Sequence, residues 1–339
     1  MPAISANGLT LEYDTRGNPG DPVILLVMGM GVQMVLWPEA FCDLLAAAGF
    51  RVVRFDNRDI GLSTKLDHLG TPSVALAAIK YALHLPLKAP YVIDDMARDT
   101  AALMDALGIE RAHLVGASMG GMIAQNLAAS APARVASLTS IMSTTGCRSL
   151  PRPTMRARRA LMAAPAKAGD TEGAIRRLMK TLRVIGSRTH PAEEGYLRAL
   201  CERHVRRSYH PPGIARQLVA IAATGDRTAV LKQIRSPTLV LHGDEDPLLR
   251  PACGEATASV IREGGGEARL EMVPGMGGED FSFFSQVSPG FYFRLGVANK
   301  EKGITGEIHT PAFDVDEECL KTGVAALAAV VCDFLKVPE

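Results

Sequence analysis

Apolar residues recur along this chain with two alternating periods. Val23 to Met28, Arg51 to Phe55 and Val135 to Met142 are short, mostly apolar runs, the pattern of strands covered on both faces. Pro38 to Ala48, Asp94 to Leu107 and Met119 to Ala129 carry a helical period instead, and Gly108 closes the second of them. Ile4 to Tyr13 alternates about Asn7-Gly8, a pair that tolerates the positive φ angles of a type I′ hairpin turn. Strand-like runs return at Thr238 to His242 and Ala268 to Val273. Strand and helix alternating in this way predict an α/β fold with a doubly wound, mostly parallel sheet, whose functional loops lie at the carboxyl ends of the strands.

From Cys147 to about Leu231 the strand pattern stops, and segments rich in Arg and Ala take over. An inserted helical cap is expected at 147–231, with residues 1–146 and 232–339 forming the core. Arg152, Arg156, Arg158, Arg159, Arg176 and Arg177 could steer an anionic substrate, but their helical spacing fits a solvated face better.

A formal net charge of +1 over 339 residues, with no polybasic tail, points away from nucleic acid and anionic membranes and toward a small-molecule partner. Met1-Pro2-Ala3-Ile4 lacks the basic and apolar blocks of a signal peptide, so a cytoplasmic location is expected. Val324 to Leu335 is interrupted by Asp333 and falls short of the ~20 residues a membrane span needs. Cys42, Cys147, Cys201, Cys253, Cys319 and Cys332 show no metal or disulfide spacing, and reduced, mostly buried thiols are expected.

The chemistry concentrates at Gly116-Ala117-Ser118-Met119-Gly120, a G-x-S-x-G between a strand (His113 to Val115) and a helix. A sharp strand-to-helix turn lifts the serine hydroxyl clear of the sheet, and small flanking residues let the backbones approach. Ser118 is therefore the candidate nucleophile. It needs a histidine base and a carboxylate to orient that base.

The chain resembles the α/β-hydrolase family from Asn7 to about Gly277, and within it the cap-bearing ester hydrolases related to aclacinomycin methylesterase. The resemblance is carried by Met28-Gly29-Met30-Gly31, Trp37-Pro38, the run Phe55-Asp56-Asn57-Arg58-Asp59-Ile60-Gly61-Leu62-Ser63 and Gly116 to Gly121. It implies an oxyanion hole formed by the backbone N–H groups of Met30 and Met119, whose side chains also suit a packing role. In Leu241-His242-Gly243-Asp244-Glu245-Asp246-Pro247 it implies Asp246 as the triad acid, with Asp244 second. His242, inside the strand end, fits a packed and hydrogen-bonded residue better than a base.

Family members usually carry Gly-Met-Gly-His after the last strand. Here the segment is Gly275-Met276-Gly277-Gly278, so the expected base is missing. Beyond it, Gly277 to Phe281, Pro289 to Gly296 and His309 to Glu317 resemble the C-terminal end of the zinc-dependent amidohydrolases that include aminoacylase and hippurate hydrolase. That second resemblance implies a fusion, with a foreign tail at 278–339 completing the core. The histidine matching His309 is a metal ligand in those enzymes. One histidine does not hold a catalytic zinc, which takes about three protein ligands, and no metal or other cofactor is expected.

His309 precedes a helical run, Glu317 to Leu335, as a triad histidine precedes the last helix of the fold. It is the leading candidate for the base, ahead of His68, His84, His113, His190, His204 and His210. The expected activity is that of a carboxylesterase-type serine hydrolase acting through an acyl-enzyme with a Ser118, His309, Asp246 triad on small to medium esters. A ligand-binding protein on the same fold without a working base is the alternative, and a zinc amidohydrolase centred on the tail is a third.

Overall fold

The computed structural model describes residues 1–277. In chain order they form β1 (Ala3–Ala6), β2 (Leu9–Arg16), β3 (Val23–Val27), α1 (Glu39–Ala47), β4 (Arg51–Phe55), α2 (Val74–Ala82), α3 (Ile93–Ala106), β5 (Ala112–Ala117), α4 (Met119–Ser130) and β6 (Val135–Ile141). There follow α5 (Met155–Leu161), α6 (Thr171–Ile185), α7 (Glu194–Arg207), α8 (Pro211–Thr224), α9 (Thr228–Leu231), β7 (Thr238–Gly243), α10 (Ala252–Glu263) and β8 (Ala268–Val273). The helical run expected at Glu317 to Leu335 lies outside the described residues.

The eight strands make one sheet in the order β1-β2-β4-β3-β5-β6-β7-β8. β1, β2 and β4 pair antiparallel, and every pairing from β4 through β8 is parallel. The first hairpin turns on Asn7 at φ 50 and Gly8 at φ 73, the double positive φ that the Asn-Gly pair supplies. All five residues of β3 are buried, as a central strand covered by helices on both faces requires. Successive strands are added toward β4 on one side of β3 and toward β6 on the other, so the loops after the parallel pair β3 and β5 flank the crevice at their carboxyl ends.

One face of the sheet is closed by α3 and α4. Ile93, Met96, Leu103 and Met104 of α3 and Met119, Ile123, Ala124, Leu127 and Ala128 of α4 join Leu25, Val27, Val53 and Leu114 of the sheet in one core. α5 to α9 all lie between β6 and β7. Arg156, Arg158, Arg159 and Arg176 in this segment are solvent-exposed, in keeping with a solvated face. Two other arginines of the segment are buried, however. Arg216 of α8 pairs with Asp59 at 2.7 Å, both side chains being fully inaccessible, and Arg227 Nη1 donates to Gln125 Oε1 at 2.8 Å and Asn126 Oδ1 at 3.1 Å.

Cys42, Cys147, Cys201 and Cys253, the cysteines among the described residues, are all free thiols and three are buried. Burial pushes the Cys42 and Cys201 thiols up to about 12, which leaves them unreactive at neutral pH. No helix among the described residues is long and apolar enough to cross a membrane.

Candidate active site

β5 ends at Ala117 and α4 begins at Met119, which leaves Ser118 alone to turn the chain. Its backbone sits at φ 54 and ψ −117, a region costing on the order of 1–3 kcal/mol for a residue with a side chain. The surroundings hold it there. Ser118 N–H donates to Ile141 O at 2.8 Å, and its carbonyl accepts from Met122 N at 3.2 Å and Ser143 Oγ at 2.9 Å. The neighbouring glycines are obligatory for a steric reason: a Cβ on Gly116 would fall 2.3 Å from Gly120 O, and one on Gly120 2.0 Å from Val27 O. The side chain of Ser118 is half-buried and free of the core.

The loop after β3 passes directly against the serine. A Cβ placed on Gly29 would lie 3.3 Å from Ser118 Cβ and 3.9 Å from its Oγ. Met30 follows in this loop, and Met119 opens α4. Among the described residues neither N–H has a hydrogen-bond acceptor. The Met119 N–H belongs to the first turn of a helix, where donors lack intrahelical partners and the macrodipole favours negative charge. Met119 is also fully buried and Met30 packs against the core, so both side chains take the packing role.

What fixes the β3 loop comes from far along the chain. Asn57 Nδ2 donates to Met28 O at 2.9 Å, and Asp56 Oδ1 accepts from Met34 N at 2.8 Å. From the inserted helices, Gln217 Oε1 accepts from Gly31 N at 2.8 Å, while its Nε2 donates to Arg58 O at 2.9 Å. Gln33 Nε2 donates to His204 O and Ser208 O, both at 2.7 Å. Arg207 bridges Gln33 Oε1 and Asp56 Oδ2, each at 2.6 Å, and Arg203 donates to Val35 O. Gln217, Gln33, Arg203 and Arg207 were not among the sequence candidates. Asp56 and Asn57 stood in a quoted motif, and the structure shows what that motif does.

The two carboxylates after β7 have different surroundings. Asp246 is buried; its Oδ1 accepts from Leu248 N at 2.7 Å and Leu249 N at 2.9 Å. Its Oδ2 has no partner among the described residues closer than His242 Nε2 at 3.5 Å. Asp244 is exposed and accepts from Gly275 N at 2.7 Å, tying down the turn after β8. His242 is buried and its Nε2–H donates to Leu249 O at 2.7 Å, so it is the packed, hydrogen-bonded residue its position suggests.

Ser118 and the Asp246 loop are joined laterally through the strand ends. Ser118 N donates to Ile141 O, and Met142 N donates to Leu241 O, both at 2.8 Å. One strand, β6, separates β5 from β7, so the strand ends that lead into Ser118 and into the Asp246 loop stand roughly 10 Å apart. An imidazole with a hydrogen bond on each side fills such a gap. The chain after β8 runs beside the end of β7: a Cβ on Gly243 would lie 2.3 Å from Met276 O and 2.9 Å from Gly277 O. Gly278 and His309 lie outside the described residues.

Seven of the eight histidines are described, and none of them hydrogen-bonds Ser118. His113, at the far end of β5, holds Ser137 Oγ at 2.8 Å. His210 pairs with Asp67 at 3.0 Å, and His68, His84 and His190 are exposed. His84 stands just past α2 at φ 57. His204 of α7 is buried with no partner for its Nδ1. Burial, helped by Arg207 and Arg203, pushes it down to about 4, against a hydrogen bond to the Gly31 backbone. Among the described residues no cluster of three or more His, Cys, Asp or Glu side chains is arranged to hold a metal ion.

The sequence pattern of the α/β-hydrolase fold matches residues 22–278. The chain belongs to the α/β-hydrolase fold family. It is 38% identical over 136 residues to Rhodomycin D methylesterase DauP of Streptomyces sp. strain C5, a match covering 40% of each protein. A shorter match, 45% identical over 65 residues, relates 19% of the chain to 16% of Thermostable carboxypeptidase 2 of Saccharolobus solfataricus. The enol-lactonase of Burkholderia xenovorans LB400 shares the fold, with a TM-score of 0.62 and 23% identity over 84% of this chain and 97% of that one. This α/β-hydrolase thus aligns with two fifths of its methylesterase relative.

Proposed function

We propose that this α/β-hydrolase is a serine carboxylic-ester hydrolase of the carboxylesterase type, acting through an acyl-enzyme on small to medium esters. The observation that carries the reading is Ser118 on its strained turn, beside a loop whose Met30 N–H and the adjoining Met119 N–H lack acceptors. Ser118 Oγ attacks the ester carbonyl while the base takes its proton. The oxyanion accepts from Met30 N–H and Met119 N–H, each such donor being worth about 100- to 1000-fold in rate. The base then protonates the departing alcohol, and water repeats the sequence on the acyl-enzyme.

Asp246 is the acid in this scheme, because its Oδ2 is the carboxylate oxygen left without a close protein donor. Asp244 is occupied with the β8 turn. His309 serves as the base, supplied by a tail that entered by fusion and took over where Gly278 replaces the family histidine. The methylesterase similarity supports ester chemistry, and the segment from α5 to α9 acts as the cap that shapes the acyl and alcohol pockets.

One observation favours a second reading, a ligand-binding protein without a base: no described histidine hydrogen-bonds Ser118. A fluorophosphonate probe separates the two, since only an activated serine reacts rapidly. Wild type is expected to label at Ser118 and to hydrolyse a nitrophenyl ester, and His309→Ala is expected to lose both. Absence of labelling in wild type would establish the second reading. Labelling that survives His309→Ala would remove His309 from the mechanism, and recovery in Gly278→His/His309→Ala would show that the family's own position is still usable.

A further inference from the structure

The face of α2 is inverted. In an ordinary surface helix the large apolar residues turn inward, but here Ala77 is the one buried residue of α2. Leu76, Ile79 and Leu83, spaced to share one helical face, are 52%, 56% and 63% exposed. Leu85, just after the helix, is exposed as well, and Tyr81 is exposed on the opposite side of α2. Contiguous apolar area of this kind on a folded protein marks a contact surface.

Charge around the patch identifies the occupant. No acidic residue occurs from His68 to Ile93, while Lys80, His84 and Lys88 lie within or just after α2. On the Tyr81 side of the helix lies Arg148, its guanidinium 4.3 Å above the Tyr81 ring and its Nη1 donating to Tyr81 O at 3.2 Å. Asp67, the carboxylate preceding this stretch, is taken by Arg216 and His210. Exposed leucine and isoleucine bordered by Lys80, in a stretch free of carboxylates, form the arrangement of a helix lying in a lipid headgroup region. Two copies joined through the same face would set these cations against each other.

We propose that α2 and the residues after it, through Leu85, adsorb to an anionic lipid surface. The proposal is independent of the reaction assigned above. Net charge and composition gave no sign of such a partner, because they do not register that an apolar face is turned outward. Adsorption would hold α2, which packs on α8, at the water–lipid boundary, and bring the Gln217-bearing helix to the same boundary.

The test is co-sedimentation of the full chain with phosphatidylcholine vesicles, with and without phosphatidylglycerol. Wild type is expected to partition at least tenfold more onto the anionic vesicles. Leu76→Gln/Ile79→Gln/Leu83→Gln should reduce that partition at least tenfold with an unchanged thermal melt, since the three side chains are exposed. Lys80→Glu/Lys88→Glu should remove the preference for phosphatidylglycerol. Failure of wild type to bind either vesicle, or equal binding by wild type and the triple variant, overturns the proposal. A concentration-dependent dimer of wild type that the triple variant abolishes would assign the face to a second copy instead.

Discussion

Gln217 Oε1 accepts the N–H of Gly31 at 2.8 Å across 186 positions of chain. It ties α8 to the residue that follows Met30, so the segment expected to select the substrate also braces the loop expected to stabilise its oxyanion. The second bond, from Gln217 Nε2 to Arg58 O, fixes the amide orientation and leaves the carboxamide oxygen facing Gly31.

Replacing Gln217 by leucine keeps much of the side-chain volume and deletes the acceptor. The expected result is a fall in kcat of about tenfold with KM within about threefold of wild type, the signature of an interaction expressed in the transition state. Gln217→Glu, which keeps an acceptor toward Gly31, should retain more of kcat than Gln217→Leu. Parallel loss of kcat in both variants, or a rise confined to KM, would reduce Gln217 to a packing residue.

Ser118→Ala should lower ester hydrolysis by at least about 10⁴-fold, since nucleophile and base act as a unit. Ser118→Gly should be equally inactive but more stable than Ser118→Ala by about 1 kcal/mol, because glycine adopts a φ of 54 without strain. Urea unfolding of the two variants measures the difference. Equal stability would mean that the turn stores no strain.

Asp246→Asn should reduce turnover by up to about 10⁴-fold through the wrong imidazole tautomer. Its fold should be nearly unchanged, because the amide oxygen can still accept from Leu248 N and Leu249 N. Asp244→Asn should stay within a few-fold of wild type. The reverse ranking in steady-state kinetics would transfer the acid role to Asp244.

Stability should fall as the solution is acidified through the histidine range. His204 and His113 are each pushed down to about 4, burial being the main cause for both, whereas an unfolded histidine takes its proton near pH ~6.5. Their contribution is complete above about 6.5 and is lost progressively as pH drops toward about 4. For His204 the loss is roughly 3 kcal/mol at the limit. His204→Gln should flatten the dependence of the urea midpoint between these pH values, and an unchanged slope would exclude His204 as its source.

Much of the fold was legible because its signals are local. β4 and β8 lie where the apolar runs Arg51 to Phe55 and Ala268 to Val273 put them, and the Asn7-Gly8 turn and the Ser118 turn follow from steric demands within a few residues. The support of the β3 loop was not legible, since Gln217, Arg207 and Arg203 meet it only after the chain has folded. Among the segment's arginines, spacing singled out Arg152, Arg156, Arg158, Arg159, Arg176 and Arg177 and passed over Arg216, which is sealed against Asp59. The outward face of α2 was hidden because periodicity locates an apolar stripe without saying which way it points.

The crowding around Gly116, Gly120 and Gly121 also bears on how this protein can change. A Cβ at any of the three meets a neighbouring backbone or side-chain atom at 2.7 Å or less, so single substitutions there are closed to drift. Position 118 is different, since its side chain already projects out of the turn. The turn therefore behaves as a rigid socket with one interchangeable plug. New chemistry can be explored by exchanging Ser118 for another nucleophile such as cysteine or aspartate, while the socket itself stays fixed in sequence.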